Sequence, residues 1–155
     1  METATLGIVL QDGDVLLGKK KKGKIGIDKL CGPGGMLEPG ETLIECLIRE
    51  TREELDIELD PAPLELAAVI DFYAAGKIDL RVYMYRTEMF RGNIRETEDM
   101  IPAWYPLNDL PYERMFESDV HWFLKAARGN PFRANVYYKE RAKGFVDITF
   151  LPFFE

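Results

Sequence analysis

One segment, GMLEPGETLIECLIRETREELDI over residues 35–57, constrains this chain more than any other. Its opening, with Gly35, Pro39 and Gly40, is a poor stretch for regular structure. The remainder turns helical: Leu43, Ile44, Leu47, Ile48 and Leu55 recur at helix spacing, which predicts a helix over 42–55. Residues three and four apart share a helix face, so Glu50, Glu53 and Glu54 crowd within about 100° of arc beside that apolar stripe. Like charges at this spacing destabilise an isolated helix, and a solvated acidic face is the ordinary reading of three such glutamates. The Gly-rich stretch immediately before it (Gly32, Pro33, Gly34, Gly35) shifts the balance by offering backbone carbonyls nearby. Hard cations such as Mg²⁺ take carboxylate and carbonyl oxygens and keep waters that can be activated. Arg49, four residues before Glu53, is placed to hold that carboxylate.

The flanking sequence reads as strands and one more helix. Residues 5–10 form a strand, 11–14 a turn and 15–19 the returning strand of a hairpin. Residues 64–73 and 78–86 alternate as two strands around the turn at 74–77, with 103–106 a short third. Ser118 is expected to cap a helix running to about Arg128. Residues 136–139 and 145–150 read as a last hairpin. No internal repeat, low-complexity tract or linker interrupts the 155 residues, so one mixed α/β domain is expected over 1–155, long enough to bury its own core.

A net charge of −7 argues against a protein that coats nucleic acid, duplex included. The local exception is Lys19, Lys20, Lys21, Lys22 and Lys24: either a solvated hairpin edge or a phosphate-facing loop in which one or two lysines touch ligand. His121, the single histidine, cannot build a histidine-rich zinc site. Cys31 and Cys46 have no metal-ligand spacing and are expected to stay reduced. No signal peptide and no apolar run of membrane-spanning length is evident, so a cytoplasmic location and no membrane partner are expected. Monomer and homodimer both stay open.

The 35–57 segment resembles the Nudix box, G-x5-E-x7-R-E-U-x-E-E-x-G-U with U a bulky aliphatic. Gly35, Glu41, Arg49, Glu50, Glu53 and Glu54 all fall on its landmarks. At about 7% usage per residue type, six such matches at one start arise by chance about once in ten million. Thr51 stands where an aliphatic is usual, and Asp56 replaces the glycine that ends the helix; Asp tolerates the left-handed conformation that exit needs. More loosely, nearly the whole chain is similar to the MutT-type branch, whose animal members sanitise oxidised purine nucleoside triphosphates.

The resemblance implies a mixed β-sheet sandwiched between helices (α/β/α) and a Mg²⁺-dependent hydrolase, with Mn²⁺ as a substitute. It implies metal ligands at Glu50, Glu53, Glu54 and the Gly34 carbonyl, with Asp99 supplying a further acidic ligand. Arg49 would orient Glu53, the first choice for general base, while Glu54 would be mainly a ligand. It implies a small-molecule nucleotide substrate held by residues 34–35 and by a base pocket of Thr5, Lys20, Cys31, Phe72, Phe116, Ser118, Asp119 and Trp122. Cys31, Phe116 and Ser118 depart from the branch, which has asparagine, tryptophan and aspartate there, so base preference is expected to differ. The expected products are a nucleoside monophosphate and pyrophosphate. Alternatives are a pyrophosphatase of another nucleoside diphosphate-linked substrate (sugar nucleotide, dinucleotide or capped RNA) and a catalytically silent nucleotide-binding module.

Overall fold

The computed structural model describes residues 1–23 and 25–153; Lys24, on which one reading of the lysine cluster fell, lies outside the described residues, as do Phe154 and Glu155. In chain order the strands are β1 (Glu2–Gln11), β2 (Asp14–Lys20), β3 (Leu30–Cys31), β4 (Gly34–Met36), β5 (Glu58–Leu59), β6 (Glu65–Ala74), β7 (Lys77–Thr87), β8 (Phe90–Arg91), β9 (Met100–Pro106), β10 (Phe132–Glu140) and β11 (Lys143–Leu151). Helix α1 (Leu43–Leu55) follows β4, and α2 (Asp119–Ala127) precedes β10. The expected hairpin at the start is present. Asp12 and Gly13, at φ 51° and 82°, make its turn, a conformation that an Asp-Gly pair adopts readily.

The main sheet runs β11-β10-β6-β7-β1-β2-β3, with β4 also pairing β1 and β9 pairing β2. It is mixed: β1 lies parallel to β7 and β10 parallel to β6, while the other pairings are antiparallel. Successive residues of β1 feed opposite cores. Ile8 belongs to the cluster containing Trp122, Phe123 and Ala126 of α2, whereas Val9 belongs to the one containing Leu47 and Leu55 of α1. Side chains that alternate across a strand can fill two cores only if both faces are covered, so the sheet lies between the helices. Each fully buried Leu or Ile contributes about 1.5–3 kcal/mol. No helix among the described residues is long and apolar enough to cross a membrane.

Helix α1 begins where its sequence says. Thr42 Oγ1 accepts from the Glu45 amide at 3.1 Å, and Glu45 Oε1 accepts from the Thr42 amide at 2.9 Å, a reciprocal cap worth about 1 kcal/mol. It ends at Asp56 in the left-handed conformation, φ 60°, as the missing glycine required.

Two readings need correction. The stretch read as an irregular glycine loop contains the start of β4 and follows directly on β3, both too short to show a period. Ser118 precedes α2 but does not cap it: its backbone is already helical (φ −76°, ψ −17°), so Oγ is not aimed at the first-turn amides. That hydroxyl instead accepts from Trp122 Nε1 at 3.2 Å.

Candidate active site

Strand β4 brings the carboxylates and the cavity to one place. Leu6, Thr5 and Ala4 of β1 face Gly34, Gly35 and Met36. A Cβ on Gly34, at φ 154°, would lie 2.1 Å from the Thr5 carbonyl oxygen, and one on Gly35 would lie 2.5 Å from the Glu50 carboxylate carbon. Glycine at both positions lets β4 close on β1 while a carboxylate of α1 closes on β4.

Glu54 is buried, and its Oε1 accepts from the Gly34 amide at 2.8 Å. Burial pushes its carboxyl up to about 8, against that hydrogen bond and with the added charges of Glu50 and Asp99. Glu50 is also raised, first by burial, with Arg49 opposing and Glu53 and Asp99 adding repulsion. Asp99 arrives from the segment before β9. Thr97 Oγ1 donates to the Glu54 carbonyl at 2.7 Å and accepts from the Asp99 amide at 3.1 Å, which seats that segment against the end of α1.

Arg49 does not chiefly hold Glu53. Its Nε and Nη2 grip Glu41 at 2.6 and 3.0 Å, Nη1 donates to Glu50 at 2.7 Å, and Nη2 donates to the Met36 carbonyl at 3.2 Å. Glu53 is reached only at 3.4 Å, and its side chain is 52% exposed. The planar guanidinium favours the two-point grip on Glu41 over its more exposed helix neighbour. Arg49 in turn holds the Glu41 carboxyl down at about 2, with the Glu38 amide assisting.

The lysines divide. Lys21 pairs with Glu96 at 3.0 Å, Lys22 with Asp99 at 3.1 Å and Lys19 with Asp28 at 3.8 Å, while Lys20 lines the cavity described next. Among the described residues, no three carboxylate, histidine or cysteine side chains converge closely enough to cage an ion outright. Like charges repel, and of the four expected carboxylates Arg49 holds Glu50 and reaches Glu53 while Lys22 holds Asp99. The donor set still suits a hard divalent cation. Its groups are oxygens, and two of them, the buried Glu54 and the half-buried Glu50, are displaced upward by burial and mutual repulsion, a cost that a bound cation would relieve.

Across β4 from these groups lies a cavity of about 170 Å³, bounded by α2. Lys20, Cys31, Phe72, Phe116, Asp119 and Trp122 line it, with Thr5, Gly34 and Gly35 at the β1–β4 side. Asp119 is 5% exposed and its Oδ2 accepts one bond, from the Phe116 amide at 3.3 Å. Burial pushes its carboxyl up to about 8 and the Cys31 thiol up to about 12, which favours the protonated form of each at neutral pH. Two expected pocket residues commit their hydroxyls elsewhere, and one of them leaves the lining. The Thr5 hydroxyl pairs with Cys46 Sγ of α1 at 3.4 Å. Ser118 is fully buried, lies outside the lining, and donates its amide to the Tyr138 hydroxyl at 3.0 Å.

A glycine strand flanked by acidic helix residues on one side and a base-sized cavity on the other can be compared with known proteins. Residues 1–126 match the family model described as the NUDIX domain. The chain belongs to the NUDIX family. It is an enzyme, a hydrolase, and is 35% identical to the oxidized purine nucleoside triphosphate hydrolase of Danio rerio over 120 residues, 77% of this chain and 75% of that one. It is 34% identical, with the same coverage, to the protein of that name in Mus musculus. A crystal structure of a MutT protein from Bacillus halodurans superposes with a TM-score of 0.80 over 97% of both chains at 20% identity, which is a likeness of fold.

The cavity also contains residues that sequence reasoning missed. Met36, Leu80 and Tyr138 line the cavity, as do Asp79 and Arg141. Leu80 was within reach, because it shares the alternating face of β7 with Val82 and Met84. Arg141 had no local signal: its place follows from β10 pairing in parallel with β6.

Proposed function

We propose that this NUDIX hydrolase cleaves purine nucleoside triphosphates to the monophosphate and pyrophosphate, in the manner of a cytoplasmic nucleotide-pool enzyme. The observation that carries the reading is Asp119, a buried carboxyl in the wall of a cavity that shares Gly34 and Gly35 with the acidic face of α1. Phe72 and Phe116 provide faces against which a ring can stack. Protonated Asp119 offers one donor and one acceptor to a base edge. Cys31 and Ser118 bring no comparable group: one is a protonated thiol, and the other is spent on Trp122 and Tyr138. A site lacking buried polar partners discriminates weakly, so preference for 8-oxo-guanine over other purines is expected to be modest.

Glu50, Glu54, Glu53, Asp99 and the Gly34 carbonyl would hold Mg²⁺ (Mn²⁺ as a substitute), which when bound supplies neutralisation of phosphate charge and acidification of water. The chain's own residues do the rest. Arg49 fixes Glu50 and ties α1 to Met36. Lys20, at the cavity, presents a positive charge to the anionic chain of the substrate. Glu53, solvent-reachable and steadied by Arg49 at 3.4 Å, accepts the proton of the water whose oxygen attacks phosphorus as the bridging anhydride bond breaks. The test is turnover of 8-oxo-dGTP, dGTP, a modified dATP and dCTP with Mg²⁺, without it, and in Glu53→Gln. Chelation is expected to abolish turnover, and Glu53→Gln to cost roughly a hundredfold or more in kcat. Full activity in excess chelator, or a sugar phosphate released in place of pyrophosphate from a preferred sugar nucleotide, would overturn the reading.

A further inference from the structure

The hairpin of β10 and β11 lies beyond residue 126, where the family match ends, yet its turn forms part of the cavity wall through Arg141 and Ala142. Arg141 is held there by two carboxylates from other strands. Its Nε and Nη2 grip Asp79 of β7 at 2.7 and 2.6 Å, and Nη2 also reaches Glu2 of β1 at 2.7 Å. The other shoulder of the hairpin is fastened to the segment carrying Asp119: Glu117 accepts from the amides of Gly144 and Phe145, at 2.9 and 3.4 Å. The turn therefore runs along one wall of the cavity, from the starts of β1 and β7 to the residues before α2.

The register of β1 places this clasp at the far end. Leu6 faces Gly34, whereas Glu2 lies beside Leu80, and four residues of strand cover about 13 Å. The space between is small: 170 Å³ is below the roughly 300 Å³ at which ordinary ligand pockets begin. A large substituent on a bound ring, if directed at the clasp, would meet Arg141.

We propose that Arg141, pinned by Asp79 and Glu2, is a specificity-determining residue that caps the far end of the base cavity and excludes purines with bulky ring substituents, while admitting small oxo and amino groups. The inference rests on the purine reading above. A guanidinium with a single partner can swing aside; one gripped from two strands makes a wall. The Arg141, Asp79 and Glu2 side chains are all partly exposed, so salt weakens the clasp.

The experiment compares kcat/KM for dGTP with that for dGTP bearing a benzyl group at N2, a benzyl group at O6 or a phenyl group at C8. In Arg141→Ala, selectivity for dGTP over at least one of these is expected to fall about tenfold, the scale of removing one steric contact, with Arg141→Lys falling less. Raising salt should lower the selectivity of the wild type toward that of Arg141→Ala. A fall below about threefold at all three positions, in a variant with wild-type near-ultraviolet circular dichroism, overturns the proposal. If Arg141→Ala does not fold, Asp79→Asn loosens the clasp with the arginine in place and is read the same way. Binding separates this proposal from the reaction. The corresponding monophosphates are titrated in chelator against tryptophan fluorescence, Trp122 being in the cavity wall. A wild type that rejects the bulky monophosphates beside an Arg141→Ala that accepts them upholds the clasp even if triphosphate turnover is absent. Equal binding by both overturns it.

Discussion

Thr51 shows how a single position can fit a pattern and still carry a cost. It occupies an aliphatic place in the α1 motif and is fully buried, and its hydroxyl has no hydrogen-bond partner. An unmet buried hydroxyl costs about 1–3 kcal/mol. Thr51→Val, equal in shape, is therefore expected to stabilise the protein by about 1 kcal/mol, a rise of roughly 2–4 °C in Tm; a thermal melt showing a lower Tm would contradict this. Asp119 is the functional counterpart. Asp119→Ala should raise KM for purines by about one to two powers of ten, and for dCTP less. Equal losses on all bases would remove its base-reading role.

At the level of elements, Arg49 adds to the buried face of α1 in holding the helix in register with the glycine strand. The guanidinium reaches Glu41 in the preceding loop, Glu50 on the helix and the Met36 carbonyl on β4. A lysine supplies the charge without the fork, so it cannot make the two-point bond to Glu41 and reach Glu50 together. Arg49→Lys is expected to keep the helix, seen as unchanged far-ultraviolet circular dichroism, and to lower kcat by about tenfold or more. Retention of near wild-type kcat would show that charge alone suffices.

For the whole molecule, the buried carboxyls set the response to pH. Glu54 and Asp119 both move up to about 8, from ordinary values of 4.5 and 3.8. Between those limits the folded chain keeps two protons that the unfolded chain releases, so their contribution is fullest at low pH and is lost as pH rises through about 8. Glu41 acts in the opposite sense: its carboxyl falls to about 2, so its contribution is present above 4.5 and is lost as pH falls through about 2. In chelator, Tm is expected to decline from about pH 5 to pH 8, with a shallower decline in Asp119→Asn. Mg²⁺ at pH 8 should raise Tm of the wild type, because a ligand of the folded state stabilises it. A Tm in chelator that climbs steadily from pH 5 to pH 8 would contradict the burial of these groups.

The sequence by itself determined the elements whose information is local. Thr42 and Glu45 start α1, the spacing of Leu43, Leu47 and Leu55 selects its buried face, and Asp12-Gly13 turns the first hairpin. The same periodicity put Glu50, Glu53 and Glu54 on one face, because 3.6 residues per turn is a property of the backbone. The family match takes in that segment and extends over residues 1–126. Only the tertiary structure decided what each polar group faces. It gave Arg49 to Glu41, Ser118 to Trp122 and the Thr5 hydroxyl to Cys46. It also brought Arg141 beside Asp79 and Glu2, residues 62 and 139 positions away in the chain. Partners that far apart are chosen by strand order and register, and those are settled by the burial of two cores at once, a sum over the whole chain that no local spacing records.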